Sequence, residues 1–176
     1  MNKVMKYRLI GFVAAIVLFF ADQAMKRYVT ETLAMQRGDV VELLPFFDFR
    51  LTYNFGVSLG MFQADSMEMR WILVGVTSLI ALVVTVWMLR EKLLGEILGL
   101  ALILGGALGN IKDRYEFGYV IDYADLHFGE FRPFLIFNIA DAAITIGVVI
   151  ILARAFFVRD KDANPEPDTA HGAAES

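Results

Sequence analysis

The sequence predicts a membrane protein, mainly α, with four transmembrane helices and a small extracytoplasmic sheet between the first and second. Three observations predict it. The 176 residues are 57% hydrophobic, with a mean hydropathy of +0.56, whereas soluble domains run at about 45–50% apolar. Four apolar stretches approach the roughly 20 residues, at about 1.5 Å each, that cross a bilayer core. Between the first two, apolar residues recur at every second position, the period of a strand.

The first stretch, Leu9–Ala21, is uncharged, and its helical pattern continues through Asp22 and Lys26. Lys3, Lys6 and Arg8 precede it, as in a signal peptide. Cleavage after Ala24 would put Asp22 where a small residue is needed, so the segment reads as a retained helix. The second stretch, Trp71–Leu89, is bounded by Arg70 and Arg90. The third, Leu93–Ile111, carries only Glu96, and the fourth, Phe134–Ala153, carries Asn138 and Asp141 in its first third.

Four crossings put both termini on one side. The 16 Lys and Arg residues divide evenly between the two sides, so the positive-inside rule does not decide the orientation. The tight Arg90–Lys92 turn and the basic N-terminus favour cytoplasmic termini. The expected organisation is one membrane domain over residues 1–159, its outer portion at about 29–69. Residues 160–176, with Pro165, Pro167 and alternating charges, read as a disordered cytoplasmic tail.

In that outer portion Phe47, Phe49, Leu51 and Tyr53 alternate with Asp48, Arg50, Thr52 and Asn54, an amphipathic strand suited to the membrane surface. Gly56 and Gly60 follow and permit turns or close backbone approach.

Composition narrows the chemistry. Cysteine is absent, which excludes thiol catalysis, disulfides and cysteine-ligated metal. Only His127 and His171 exist, so a zinc site would lack nitrogen ligands and a serine triad could use only His127. The net charge of −4, with no basic cluster, argues against a nucleic-acid partner. Carboxylates remain as candidate catalytic groups.

Two stand in apolar surroundings: Asp122 in Tyr119-Val-Ile-Asp-Tyr123 and Asp141 in Phe137-Asn-Ile-Ala-Asp141. Carboxylates near a bilayer core are costly and ordinarily face a working interior. Asp122 reads as part of the short outer connection after the third span. Pro133 opens the fourth span, so the intervening chain can fold back and bring Asp122 opposite Asp141. Two carboxylates in contact cannot both ionise easily: they share a proton, one drawing a proton from water while the other polarises a carbonyl. Taken singly, Asp122 could be an exposed loop acid and Asp141 a buried acid bonded to Asn138.

Other polar groups gather at the same end. On a helix, Asn110, Asp113 and Arg114 share a face, and Gly105, Gly106 and Gly109 let that face pack closely. Asn138 and Asp141, three apart, share a face of the fourth helix. Asp22 and Lys26 form an i, i+4 pair in the favourable order, either as a self-neutralising helix end with Lys26 snorkelling or with a direct role. Ser58 with Lys26 as base is a weaker nucleophile candidate, because nothing near Ser58 resembles a nucleophile elbow.

Five blocks in order, Asp22…Lys26, Asn54-Phe-Gly-Val-Ser58, Gly105-Gly-Ala-Leu-Gly-Asn110 with Asp113-Arg114, Val120-Ile-Asp-Tyr123, and Phe137-Asn-Ile-Ala-Asp141, resemble the lipoprotein signal peptidases (signal peptidase II). These are bacterial membrane aspartic proteases. The resemblance implies four transmembrane helices with an outer β-cradle, catalysis by Asp122 and Asp141, and no cofactor or metal. It implies a monomer in the inner membrane, working near the outer face on diacylglyceryl-modified prolipoproteins and cleaving before the lipidated cysteine. By position, Asn54, Asn110, Arg114 and Asn138 would hold substrate or support the dyad, while Asp22, Lys26, Gly56 and Asp113 would be structural or secondary. Leu59, where the family usually has phenylalanine, and Phe131-Arg-Pro-Phe134, without the family's tryptophan, are departures. A small proton-coupled transporter using Asp141, Asp22 and Lys26 is the alternative, as is a non-catalytic membrane subunit. No internal repeat supports the transporter.

Overall fold

The computed structural model describes residues 2–56 and 67–157. Helix α1 (Lys3–Arg27) starts on an Asn2 cap, whose Oδ1 accepts from Met5 N at 2.8 Å, and runs into a π-helical turn, Tyr28–Thr32. Strands β1 (Val40–Leu44) and β2 (Phe47–Asn54) follow, then α2 (Met67–Arg90), α3 (Leu94–Glu116), β3 (Val120–Leu126) and α4 (Ile139–Phe157). All four helices are long and apolar enough to cross a membrane; the 24 residues of α2 reach about 36 Å.

Helix α3 is the hub: α1, α2 and α4 all pack on it, and α1 and α2 scarcely touch each other. In lipid the hydrophobic effect does not drive helices together, so close van der Waals packing through small residues must. A Cβ on Gly105 would come 2.6 Å from Ala15 O, and one on Gly106 would come 2.5 Å from Ala140 O. Towards the termini the bundle closes on Ala81, Val84, Met88, Ile97, Leu100 and Ala101. At that end Arg8 donates to Glu91 O at 3.3 Å, and Arg154 lies 3.5 Å from Glu96. The start of α1, the α2–α3 turn and the end of α4 therefore share one level.

At the opposite end the strands form one antiparallel sheet, β1-β2-β3. The alternating segment read from the sequence is β2, and its Phe49 and Leu51 are buried with Val29, Met35, Ile121 and Tyr123. Full burial of each such side chain is worth about 1.5–3 kcal/mol. The sheet thus sits on the end of α1 through an apolar layer.

Three features differ from the sequence reading. The third strand lies outside residues 29–69: β3 comes from the α3–α4 connection, so Asp122 is on a strand paired with Thr52, not in a loop. Strand β1 carries no alternation, and all five of its residues are exposed. Helix α4 starts at Ile139 rather than Phe134, because Phe137 pairs with the free edge of β3. Phe137 O accepts from Tyr123 N at 3.0 Å and from Ala124 N at 2.7 Å, and Phe137 N donates to Ala124 O at 3.1 Å. Asn138 therefore precedes the helix. The expected tail, Ser58, Leu59 and Gly60 lie outside the described residues.

Candidate active site

The backbone pairing of Phe137 with β3 delivers Asn138 to Asp122. Asn138 is fully buried, and its Nδ2 donates to Asp122 Oδ1 at 2.7 Å. Its Oδ1 accepts from Asp141 N at 2.9 Å, and Asp141 Oδ2 accepts from Asn138 N at 3.3 Å. That reciprocal pair is a capping box at the start of α4, with Asp141 in the first turn, where a helix favours negative charge. One asparagine side chain thus joins both aspartates.

Two further asparagines take the outer oxygens. Asn54 Nδ2 donates to Asp122 Oδ2 at 3.1 Å, and Asn110 Nδ2 donates to Asp141 Oδ1 at 2.8 Å. Asn54 is oriented by Gly56 N, which donates to its Oδ1 at 3.1 Å. Burial, and then the neighbouring Asp141 charge, push the Asp122 carboxyl up from 3.8 to about 7, against the N–H bonds from Asn54 and Asn138 and the Lys26 charge. A carboxyl so placed holds its proton near neutrality.

Behind the pair lies a buried ionic cluster. Lys26 Nζ is 2.8 Å from Asp22 Oδ2 and 2.8 Å from Asp113 Oδ2, and donates to Asn110 Oδ1 at 3.2 Å. Lys26 is only 3% exposed, so it does not snorkel. Arg114, at the end of α3, donates through Nη2 to Gly56 O at 2.8 Å, and its Nε has no partner among the described residues. No group of three or more His, Asp or Glu among the described residues could hold a metal ion.

A family profile described as signal peptidase (SPase) II matches residues 14–157. The chain belongs to the signal peptidase II family. A lipoprotein signal peptidase from Sphingopyxis alaskensis is 49% identical over 166 residues, 92% of this chain and 96% of that protein. One from Rhizorhabdus wittichii is 46% identical over 154 residues, covering 88% and 90%. A bacterial membrane enzyme solved by the in meso method at 2.3 Å superposes with a TM-score of 0.76 at 27% identity, over 89% of this chain and 92% of the other. A second, at 1.9 Å, gives 0.72 at 28% identity, over 84% and 93%.

In this signal peptidase II chain the ten residues that the resemblance assigned as catalytic, supporting or secondary all lie at one end of the bundle. Asp122, Asp141, Asn54, Asn110 and Asn138 form one hydrogen-bonded network, with Asp22, Lys26 and Asp113 joined to it through Asn110. Arg114 and Gly56 bond to each other beside it. Gln23 and Arg70 escaped the sequence reading. Gln23 Nε2 donates to Asp113 Oδ1 at 2.9 Å and to Asp22 Oδ2 at 3.2 Å. Arg70 donates to Arg114 O at 2.8 Å and also to Tyr115 O, satisfying the last carbonyls of α3. Adjacency of Gln23 to Asp22 was the only available hint; Arg70 read simply as the boundary of a span.

Proposed function

We propose that this chain is an aspartic endopeptidase of the bacterial inner membrane. It removes signal peptides from diacylglyceryl-modified prolipoproteins, cleaving just before the lipidated cysteine. The observation that carries this reading is the Asn138 side chain, which donates to the Asp122 carboxyl and accepts from the backbone amide of Asp141. Asp122, pushed to about 7, is placed to supply the proton that the pair shares, which leaves Asp141 the role of base.

Asp141 takes a proton from a water molecule while the water oxygen attacks the scissile carbonyl carbon. Asp122 gives its proton to the carbonyl oxygen, and a tetrahedral diol forms. Collapse returns that proton to Asp122, the leaving nitrogen takes the proton held by Asp141, and the C–N bond breaks. Asn54, Asn110 and Asn138 supply fixed N–H donors, so the carboxylates need little reorganisation as charge moves. With cytoplasmic termini, the site lies near the outer face, where a lipidated signal peptide presents its cleavage position. Lipid and the prolipoprotein are the expected partners, and the monomer suffices.

The apolar closure of the bundle below the site disfavours the transporter reading, since Ala81, Val84, Leu100 and Leu104 offer no proton path. The deciding experiment is cleavage of a diacylglyceryl-modified prolipoprotein by purified wild type, Asp122→Asn and Asp141→Asn. Loss in both folded variants is expected; cleavage by either at the wild-type rate removes the dyad.

A further inference from the structure

Two buried carboxylates outside the dyad each grip one backbone amide, and each amide belongs to the residue just before a dyad aspartate. Asp113 Oδ2, on α3, accepts from Ile121 N at 3.2 Å. Asp22 Oδ1, on α1, accepts from Ala140 N at 3.1 Å. Ile121 precedes Asp122 and Ala140 precedes Asp141. The amide of Ala140 is one of the first-turn donors that a helix cannot satisfy internally, so Asp22 caps α4 from a different helix.

Lys26 couples the two grips, lying 2.8 Å from each carboxylate, and the Gln23 amide spans them as well. Lys26 also fixes the rotamer of Asn110. Its ammonium and Asn138 Nδ2, at 3.2 and 3.3 Å, both donate to Asn110 Oδ1, so Asn110 must turn its Nδ2 to Asp141. A buried ion cluster is a poor way to stabilise a bundle, because apolar side chains of similar volume serve as well or better. Holding two amides in register is something apolar side chains cannot do.

We propose that Asp22 and Lys26 are positioning residues for the Asp122–Asp141 pair. Asp22 acts through the Ala140 amide, and Lys26 acts through Asp22, Asp113 and Asn110. The inference rests on the dyad reading above. A carboxylate displaced by about 1 Å is enough to cost about 100-fold in rate without touching substrate affinity.

The test measures kcat and KM on a diacylglyceryl-modified prolipoprotein peptide for the full chain, with gel filtration and thermal melting to report folding. Asp22→Ala removes the acceptor, and Asp22→Asn keeps an oxygen for Ala140 N. Gly109→Ala leaves every charge in place but puts a Cβ 2.5 Å from Asp22 Oδ2, pushing the carboxylate aside.

Expected results are a kcat lower by about 100-fold in Asp22→Ala with KM within about twofold, recovery of at least about tenfold in Asp22→Asn, and a kcat loss in Gly109→Ala. A folded Asp22→Ala with near wild-type kcat, a loss confined to KM, or Asp22→Asn no better than Asp22→Ala overturns the proposal. If Asp22→Ala does not fold, a folded Gly109→Ala with wild-type kcat overturns it. Failure of both to fold overturns it in favour of a purely structural role. Asp122→Asn, run alongside, separates the two readings: if it cleaves, the dyad fails; if it is inert while Asp22→Ala is fully active, only this inference fails.

Discussion

Asn138 and Asp141 hold each other at the mouth of α4, through side-chain-to-amide bonds of 2.9 and 3.3 Å in opposite directions. A capping box ordinarily just starts a helix; here its acidic member is a candidate catalytic carboxylate. The same Asn138 reaches Asp122 with its side-chain amide, so helix initiation and the placement of the two aspartates depend on one side chain.

Those two roles can be separated by substitution. Asn138→Ala loses the cap, about 0.5–2 kcal/mol of stability, together with the donor to Asp122. Asn138→Ser can still cap α4 but has no amide N–H to give Asp122. Thermal melting is expected to place Asn138→Ser above Asn138→Ala, while both lose most of their kcat. Full activity in folded Asn138→Ser would show that the bond to Asp122 is dispensable.

The raised Asp122 pKa fixes the sign of a pH effect. The folded state holds the proton more tightly than the unfolded chain, where the carboxyl titrates near 3.8. Its stabilising contribution is complete below that value and is lost as pH rises through about 7. The melting temperature of wild type relative to Asp122→Asn, which cannot titrate there, is therefore expected to fall between about pH 4 and pH 8. The kcat profile is expected to decline on its alkaline side near the same pH, as the general acid ionises. A difference in melting temperature that stays flat across this range would contradict the assignment.

Local patterns made the spans and β2 legible. Trp71–Leu89 lies inside α2, and the alternation of Phe47 to Asn54 coincides with the strand. Strand β3 escaped because Val120 to Asp125 are buried on both faces, which leaves no alternation to read. The start of α4 escaped because Phe137 is held extended by a strand rather than by its own neighbours. The identities of the candidate site residues were visible, but their partners were not. Asp22 and Lys26 form a local pair, whereas Asp113, the third member, comes from a distant helix that no periodicity links to them.

Asp125 offers a contrast with Asp122 on the same strand. It is buried, and Arg50 and Arg132 donate to it through their Nε atoms at 2.9 and 3.1 Å. Both arginines are over one-third exposed, so solvent weakens each pair and leaves them cations that need no other partner. Asp125→Asn is expected to lower the melting temperature, at a cost of about 1–3 kcal/mol, while kcat per folded molecule stays near wild type. A kcat loss as large as that of Asp141→Asn would instead tie Asp125 to the chemistry.

Gly106 tests how strictly α4 must approach α3. A methyl group there would meet Ala140 O at 2.5 Å and Ile144 Cγ1 at 2.9 Å. The first contact is backbone, which cannot rotate away, so α4 must shift as a body next to Asp141. Overpacking of this kind costs about 1–3 kcal/mol, little for a four-helix bundle with the rest of its packing intact. The displacement reaches Asp141 and its bond to Asn110 directly, so activity is expected to fall far more steeply than stability in Gly106→Ala. At Gly147, elsewhere on the same interface, an added Cβ would meet Gly99 O at 2.5 Å. Gly147→Ala therefore imposes a similar backbone clash farther from the dyad and is expected to lower the melting temperature comparably with a smaller loss of kcat. Equal kcat losses in the two variants would show that bundle packing as a whole, rather than the local approach of Ala140 to Gly106, governs the site.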